Sequence, residues 1–407
     1  MNRKWTRIAA LAGALAPSFA SANLLIDDGA THVFGSSIGQ SVTLDNGSTL
    51  RLTSGGSITG DGTAAAFAIP AFARGAIESG VGSNSDIYLE GNSVVSAGTT
   101  RVGISRMFSG ELHIGDNSVV NAGSSGNAIF GYGVTSPPTP STLKTFIADH
   151  AFINGNVETD GYVSISGNSV INGSLFEANG GIALEMDGGL ITGHVQTGSL
   201  VGHSAIVRDG SILGGYGGNA SNIDFSIQGG LIDGGWSVNS QDMLVELRGG
   251  QINGGMRFGN IADATAVGDR VSIFSGAINA DAGDWLLDFT SVFDVDGVTS
   301  FDCSANSTIF NIWGGQLGYG SAGNGMHLDL CATIDVYGTN LSYAGGLLTG
   351  TLADGSLLNL AVTEESRWGG ALRLHDVSVP EPGTLGLLGM ALGAMAMARR
   401  RRIPARS

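Results

Sequence analysis

The chain has 407 residues, and Gly supplies 67 of them, far above the usual share of about 7%. Only 8 Pro and no Gly-X-Y period exclude collagen, and 42% hydrophobic residues exclude a simply disordered polymer. The formal net charge is −16, and residues 23–379, with 11 basic and 34 acidic side chains, carry −23. A body this acidic, without a basic patch interleaved with aromatics, excludes nucleic-acid binding. The acidity reads either as a soluble, self-repelling surface or as cation binding by Asp-rich turns.

At the N-terminus, Arg3, Lys4 and Arg7 precede an apolar run from Ile8 to Ala16, which Pro17 breaks before Ala20-Ser21-Ala22. A basic start, a short apolar run and an A-x-A site predict a secretory signal peptide over residues 1–22. The run is too short to span a bilayer as a helix. The alternative is a buried N-terminal helix.

The body, residues 23–284, repeats. Gly-rich turns follow Ile171, Ile191, Ile212, Ile232 and Ile252, at spacings of 20, 21, 20 and 20. Weaker copies carry Ile58, Val95, Val120 and Ile153 before this run and Ile278 and Leu317 after it. Their spacings reach 39, which reads as about two periods. Apolar residues alternate ahead of the turns, as in Ile182, Leu184, Met186 and in Ile223, Phe225, Ile227, and alternation with period 2 marks half-buried strands. Second apolar segments follow, as in Trp236-Ser237-Val238. Each repeat is therefore two or three short strands joined by Gly-rich corners. The predicted fold is all-β: a right-handed parallel β-helix of roughly 15 coils at about 4.8 Å each. A series of β-sandwiches is the rival. The Pro-rich stretch Thr135–Thr142 reads as a loop thrown out between coils.

Residues 285–378 are less regular and read as C-terminal coils and a cap, with Leu347–Val362 a terminal hairpin. Cys303 and Cys331, the only cysteines, are a candidate disulfide in an exported chain, with free thiols the alternative. Asp294, Asp296 and Asp302 resemble a calcium loop, but Val292 and Cys303 occupy the positions where that loop needs carboxylates, so no metal or other cofactor is expected. Asp187, Asp209 and Asp233 sit at corners of successive coils, where aspartate commonly bonds its own backbone. His32, His113, His150, His194, His203, His327 and His375 are scattered without partner spacing, and no G-x-S-x-G elbow leads a triad. The chain therefore reads as a non-enzyme. The alternative is a polysaccharide lyase or glycoside hydrolase on the same fold, which needs paired carboxylates in a groove.

The C-terminus, residues 379–407, holds Pro380-Glu381-Pro382, an uncharged stretch over residues 383–398 and the cluster Arg399, Arg400, Arg401, Arg402. The stretch predicts a single transmembrane helix of about 24 Å, with the arginines on the cytoplasmic side. These three parts in this order resemble the PEP-CTERM sorting signal of Gram-negative bacteria. The resemblance implies that an exosortase recognises Pro380, Glu381 and Pro382, and that the helix anchors the chain in the inner membrane until processing. It further implies release to the envelope or outside, with exopolysaccharide or other envelope components as partners. The expected function is a surface or extracellular structural or adhesion-type protein. A permanent C-terminal anchor is the alternative.

Overall fold

The computed structural model describes residues 23–61, 74–79, 83–107, 109–132, 142–197, 203–221, 223–241, 243–259, 270–289, 309–318, 324–328, 332–364 and 370–377. Within them the regular structure is all strand, and almost every pairing is parallel. Each coil lays one segment on each of three faces, and each segment pairs with its counterpart one coil on. The molecule is a β-solenoid.

The first face runs from Leu24 to Val362 through Val42, Ile77, Ile104 and nine further rungs, making fourteen. At about 4.8 Å per rung these extend roughly 60 Å. The third face carries the repeat seen in the sequence. Ile58, Val95, Val120, Ile153, Ile171, Ile191, Ile212, Ile232, Ile252, Ile278 and Leu317 are successive members of one stack. All are buried. Ile58 pairs directly with Val95, and Ile278 with Leu317, so the longest spacings are single coils enlarged elsewhere, not two periods.

The inward rows form one continuous core. On the third face that core is aliphatic. In the C-terminal half the other two faces contribute rings. Tyr216 and Phe225 lie 4.5 Å apart, Trp236 and Phe258 4.9 Å, and Phe289 meets Phe310 edge-on at 4.3 Å. Edge-on and tilted contacts suit the ring quadrupoles and fill the wider coils.

Glycine is needed where successive corners touch. Gly230 has φ +76°, and a Cβ there would sit 2.7 Å from the Gly210 carbonyl oxygen; at Gly210, φ +97°, it would sit 2.5 Å from that of Gly188. At the C-terminal end, Leu347–Leu352 and Leu357–Glu364 form the expected hairpin, antiparallel to each other, and the first of them also pairs antiparallel with the end of Thr333–Ala344.

Candidate functional site

Strand residues alternate in and out, so chemistry open to a partner lies on the outward rows. On the second face one such row reads Arg51, Tyr88, His113 and Phe146 on consecutive rungs. The rings stack: Tyr88 and His113 at 4.6 Å and 8°, His113 and Phe146 at 4.5 Å and 15°. Tyr162 leans on Phe146 at 5.6 Å. Arg51 covers the far face of Tyr88 at 4.7 Å and donates to both Glu90 oxygens, at 3.0 and 3.1 Å. Glu111 bonds His113 at 3.0 Å and accepts from Lys144 at 2.9 Å, and these two bonds hold its carboxyl below the ordinary range. Because the rings cover one another, this row presents ring edges and ion pairs, not a flat aromatic platform.

Two similar clusters lie toward the C-terminus. On the first face, Arg257, Asp288 and His327 stand on consecutive rungs. Asp288 is 2.9 Å from His327 Nδ1 and 3.5 Å from Arg257 Nε, and Trp285 stacks on His327 at 4.7 Å. Further along, Trp313, Tyr337 and His375 stack at 3.6 and 4.6 Å, and His375 Nε2 lies 2.7 Å from Asp335. In the sequence these histidines are scattered, without partner spacing. The structure pairs His32, His113, His327 and His375 with carboxylates, the last two across a coil. The signal was hidden because those partners lie 39 and 40 residues away in sequence, a distance set by coil length.

A shallow groove of about 410 Å³ opens on the first face where Gly215, Gly217, Gly218, Gly234, Gly235 and Gly254 bring no side chains. His194, Gln196, Ser237 and Arg257 border it. The glycines answer to packing, since a Cβ at Gly217 would lie 2.8 Å from the Ser237 carbonyl oxygen. Asp187 and Asp209 pair at the second-to-third corner, whereas Asp233 lies past the third face and accepts from Asn253 at 3.0 Å. The three aspartates therefore do not form one row.

The first-to-second corner holds polar groups inside the solenoid. Arg106, fully buried, donates to the Lys144 carbonyl at 3.0 Å, to Thr145 Oγ1 at 3.2 Å and to the Gly110 carbonyl. Burial pulls its guanidinium down to about 9. Four and five coils on, His203 Nε2 and Tyr216 Oη share a hydrogen bond, and the Glu177 carboxylate lies 4.0 Å from His203 Nδ1. Burial lowers His203 to about 4 despite that neighbouring carboxylate, and raises the Tyr216 hydroxyl well above its ordinary value. On an outward position of the first face, Glu78 is nonetheless buried. Desolvation raises it to about 7, opposed by its hydrogen bond from the Gly75 amide at 3.0 Å and by Arg74.

Pro380, Glu381 and Pro382, the cluster Arg399, Arg400, Arg401 and Arg402, the candidate disulfide Cys303 and Cys331, the aspartates Asp294, Asp296 and Asp302, and the leader all lie outside the described residues. So does the stretch 383–398; among the described residues no helix is long and apolar enough to cross a membrane. Residues 378–402 match the model of the PEP-CTERM protein-sorting motif. The chain carries a PEP-CTERM sorting tail. This motif implies export, membrane anchoring before processing, and an exosortase as the processing partner. No curated protein and no solved structure matches the chain.

Proposed function

We propose that this protein is an exosortase-sorted rod of the cell surface or extracellular matrix, structural or adhesive in role and without catalytic activity. The observation that carries the proposal is the union of a PEP-CTERM tail with a solenoid body. In this reading the leader, residues 1–22, directs export, and residues 383–398 form a single transmembrane helix held from the cytoplasmic side by Arg399–Arg402. The exosortase acts near Pro380-Glu381-Pro382. The coils wind right-handed, as parallel crossovers almost always do. An oxidising destination suits a disulfide between Cys303 and Cys331. The outward rows of paired charges and ring edges offer polar contacts to exopolysaccharide or other envelope components.

The carboxylates support a role without catalysis. A general acid needs a carboxyl whose pKa is raised yet which reaches substrate. Glu111 is held low by its partners, and Glu78, raised to about 7, is buried. Outward acids such as Glu90, Glu111, Glu185 and Glu246 are engaged by arginine, lysine or histidine.

The test is intact-mass and C-terminal peptide analysis of the protein from native cells separated into inner membrane, periplasm, envelope and medium. The expected product starts near Asn23, ends near Pro380–Pro382 and lies outside the inner membrane. A chain ending at Ser407 and confined to the inner membrane overturns the sorting proposal.

A further inference from the structure

We propose that the trimmed rods join head to tail, with the strand Thr31–Phe34 of one copy pairing in parallel with Ala371–Asp376 of the next. The inference rests on the sorted and processed chain proposed above, because the leader and the tail adjoin these two ends.

Both strands lie on the second face, and both are edges among the described residues. Thr31–Phe34 pairs with Thr49–Leu52, and Ala371–Asp376 pairs with Thr333–Gly338; neither has a described partner on its other side. One edge faces each way along the rod axis, so the two are complementary in direction. Among the described residues the inward column is open at both. Leu374 points inward yet is 37% exposed, while Val336 beneath it is fully buried. Phe34 and His32 are half-buried, while Leu52 and Leu50 beneath them are fully buried. A second copy stacked in register would set Leu374 against Phe34 and continue the pairing that joins every coil within the molecule.

Charge supports the same polarity. At the N-terminal end Asp28, 53% exposed, reaches His32 at 2.9 Å and leaves a carboxylate there. At the C-terminal end Arg373, 59% exposed, approaches Asp335 at 3.9 Å. The terminal hairpin continues the first face and leaves Ala371–Asp376 without a described partner on its far side. Unprotected edges invite pairing with another chain, and a head-to-tail contact that does not close into a ring propagates as a fibre.

The test uses the chain with protease sites engineered after residues 22 and 377, so that trimming does not depend on native sorting. Sedimentation velocity and electron microscopy should show monomers before cutting. After cutting, a concentration-dependent series of rods of constant width should appear. Phe34→Lys blocks the head and Leu374→Lys the tail. Each trimmed variant should remain monomeric alone, and an equimolar mixture should give dimers and nothing longer, which also shows that each variant keeps a folded, competent end. Trimmed wild-type rods that stay monomeric overturn the head-to-tail contact. So does a trimmed variant that polymerises as wild type does, or a mixture that gives no dimer. If native cells leave the termini uncut while the engineered chain assembles, the contact stands and the sorting proposal falls.

Discussion

The second-to-third corner and the first-to-second corner of the same coils obey different rules. Between the second and third faces the turn is short in every coil, as from Leu89 to Val94, Ile114 to Val119 and Ile227 to Leu231. Between the first and second faces the connection runs from one residue, at Ser221 to Ile223, to the long stretch from Phe289 to Ile309. Two more long connections, Thr59 to Gly75 and Leu317 to Asn324, enter the first face from the third. Extra chain thus always flanks the first face. The reason lies in what each corner touches. At the second-to-third corner, backbone lies on backbone from coil to coil, so a residue added to one turn collides with the turns above and below. At the first-to-second corner, side chains such as Arg106 bond the neighbouring backbone instead, and the length of the connection varies from coil to coil.

The largest effect should therefore come from insertion. Four Gly/Ser residues placed between Gly229 and Gly230 force apart the contacts of Gly230 with Gly210 and of Gly249 with Gln228, and should abolish cooperative folding or remove most of a stability of about 5–15 kcal/mol. The same four residues placed beside Asn222 should cost about 1 kcal/mol or less, because loop closure grows only logarithmically with length. Urea denaturation followed by circular dichroism compares the two. Similar losses at both sites would remove the distinction between the corners.

Core truncation should come next. Trp236→Ala removes a ring packed between Phe225 and Phe258, at 5.8 and 4.9 Å, and should cost about 3–5 kcal/mol. Ile212→Ala, in the middle of the aliphatic stack, should cost about 2–5 kcal/mol, toward the lower end if the small, regular coil collapses onto the gap. The difference in denaturation midpoint sharpens the comparison: the aromatic side of the core carries more energy per residue, although the aliphatic side sets the repeat.

What could be read in the sequence follows the same division. The third-face stack was legible from Ile58 to Leu317 because two glycine-bounded corners hold its register, whatever length the rest of the coil takes. The alternating strand at Ile182, Leu184 and Met186 was legible because period 2 survives any coil length. Coil number was less legible: the 37-residue step from Ile58 to Val95 looks like two periods until pairing shows it to be one. The outward clusters were invisible. Asp288 and His327 meet only because one coil there is 39 residues long, and no local motif encodes that length. The buried set of Glu177, His203 and Tyr216 was hidden likewise, since a histidine in a Gly-rich stretch carries no mark of burial.

Two buried groups at the margins of the first face should make stability depend on pH in opposite directions. Glu78 is raised to about 7 in the fold from 4.5, so the folded state binds the extra proton between these values. Its contribution is complete below about pH 4.5 and is lost as pH rises through 7, by roughly 3 kcal/mol at most. His203 is lowered to about 4 from 6.5, so its contribution is complete above about pH 6.5 and is lost as pH falls through 4. From pH 4.5 to 6.5 the two slopes oppose each other. Glu78→Gln should leave stability rising with pH across that window, and His203→Phe should leave it falling. Denaturant midpoints every half pH unit would read both slopes. A Glu78→Gln variant whose profile parallels wild type would show that Glu78 is not buried as a neutral acid.

The outward ring row should contribute least to folding, and its role can be separated from that of the core. Tyr88 is stacked between Arg51 and His113, but its ring edge meets water, and exposed cation–π and stacked pairs are worth about 0.5–1 kcal/mol each. Tyr88→Ala should therefore shift the denaturation midpoint only slightly. The Arg51–Glu90 pair, about one-third exposed on both sides, should add less than 1 kcal/mol, and high salt should weaken it further. If the row serves as a polar contact surface for envelope material, Tyr88→Ala together with Arg51→Ala should reduce retention of the rod on isolated envelope while leaving the melting temperature nearly unchanged. A loss of several kcal/mol would instead make the row part of the fold's own scaffold. The outer face of the N-terminal coils would then belong with the aromatic core and not with the variable corners.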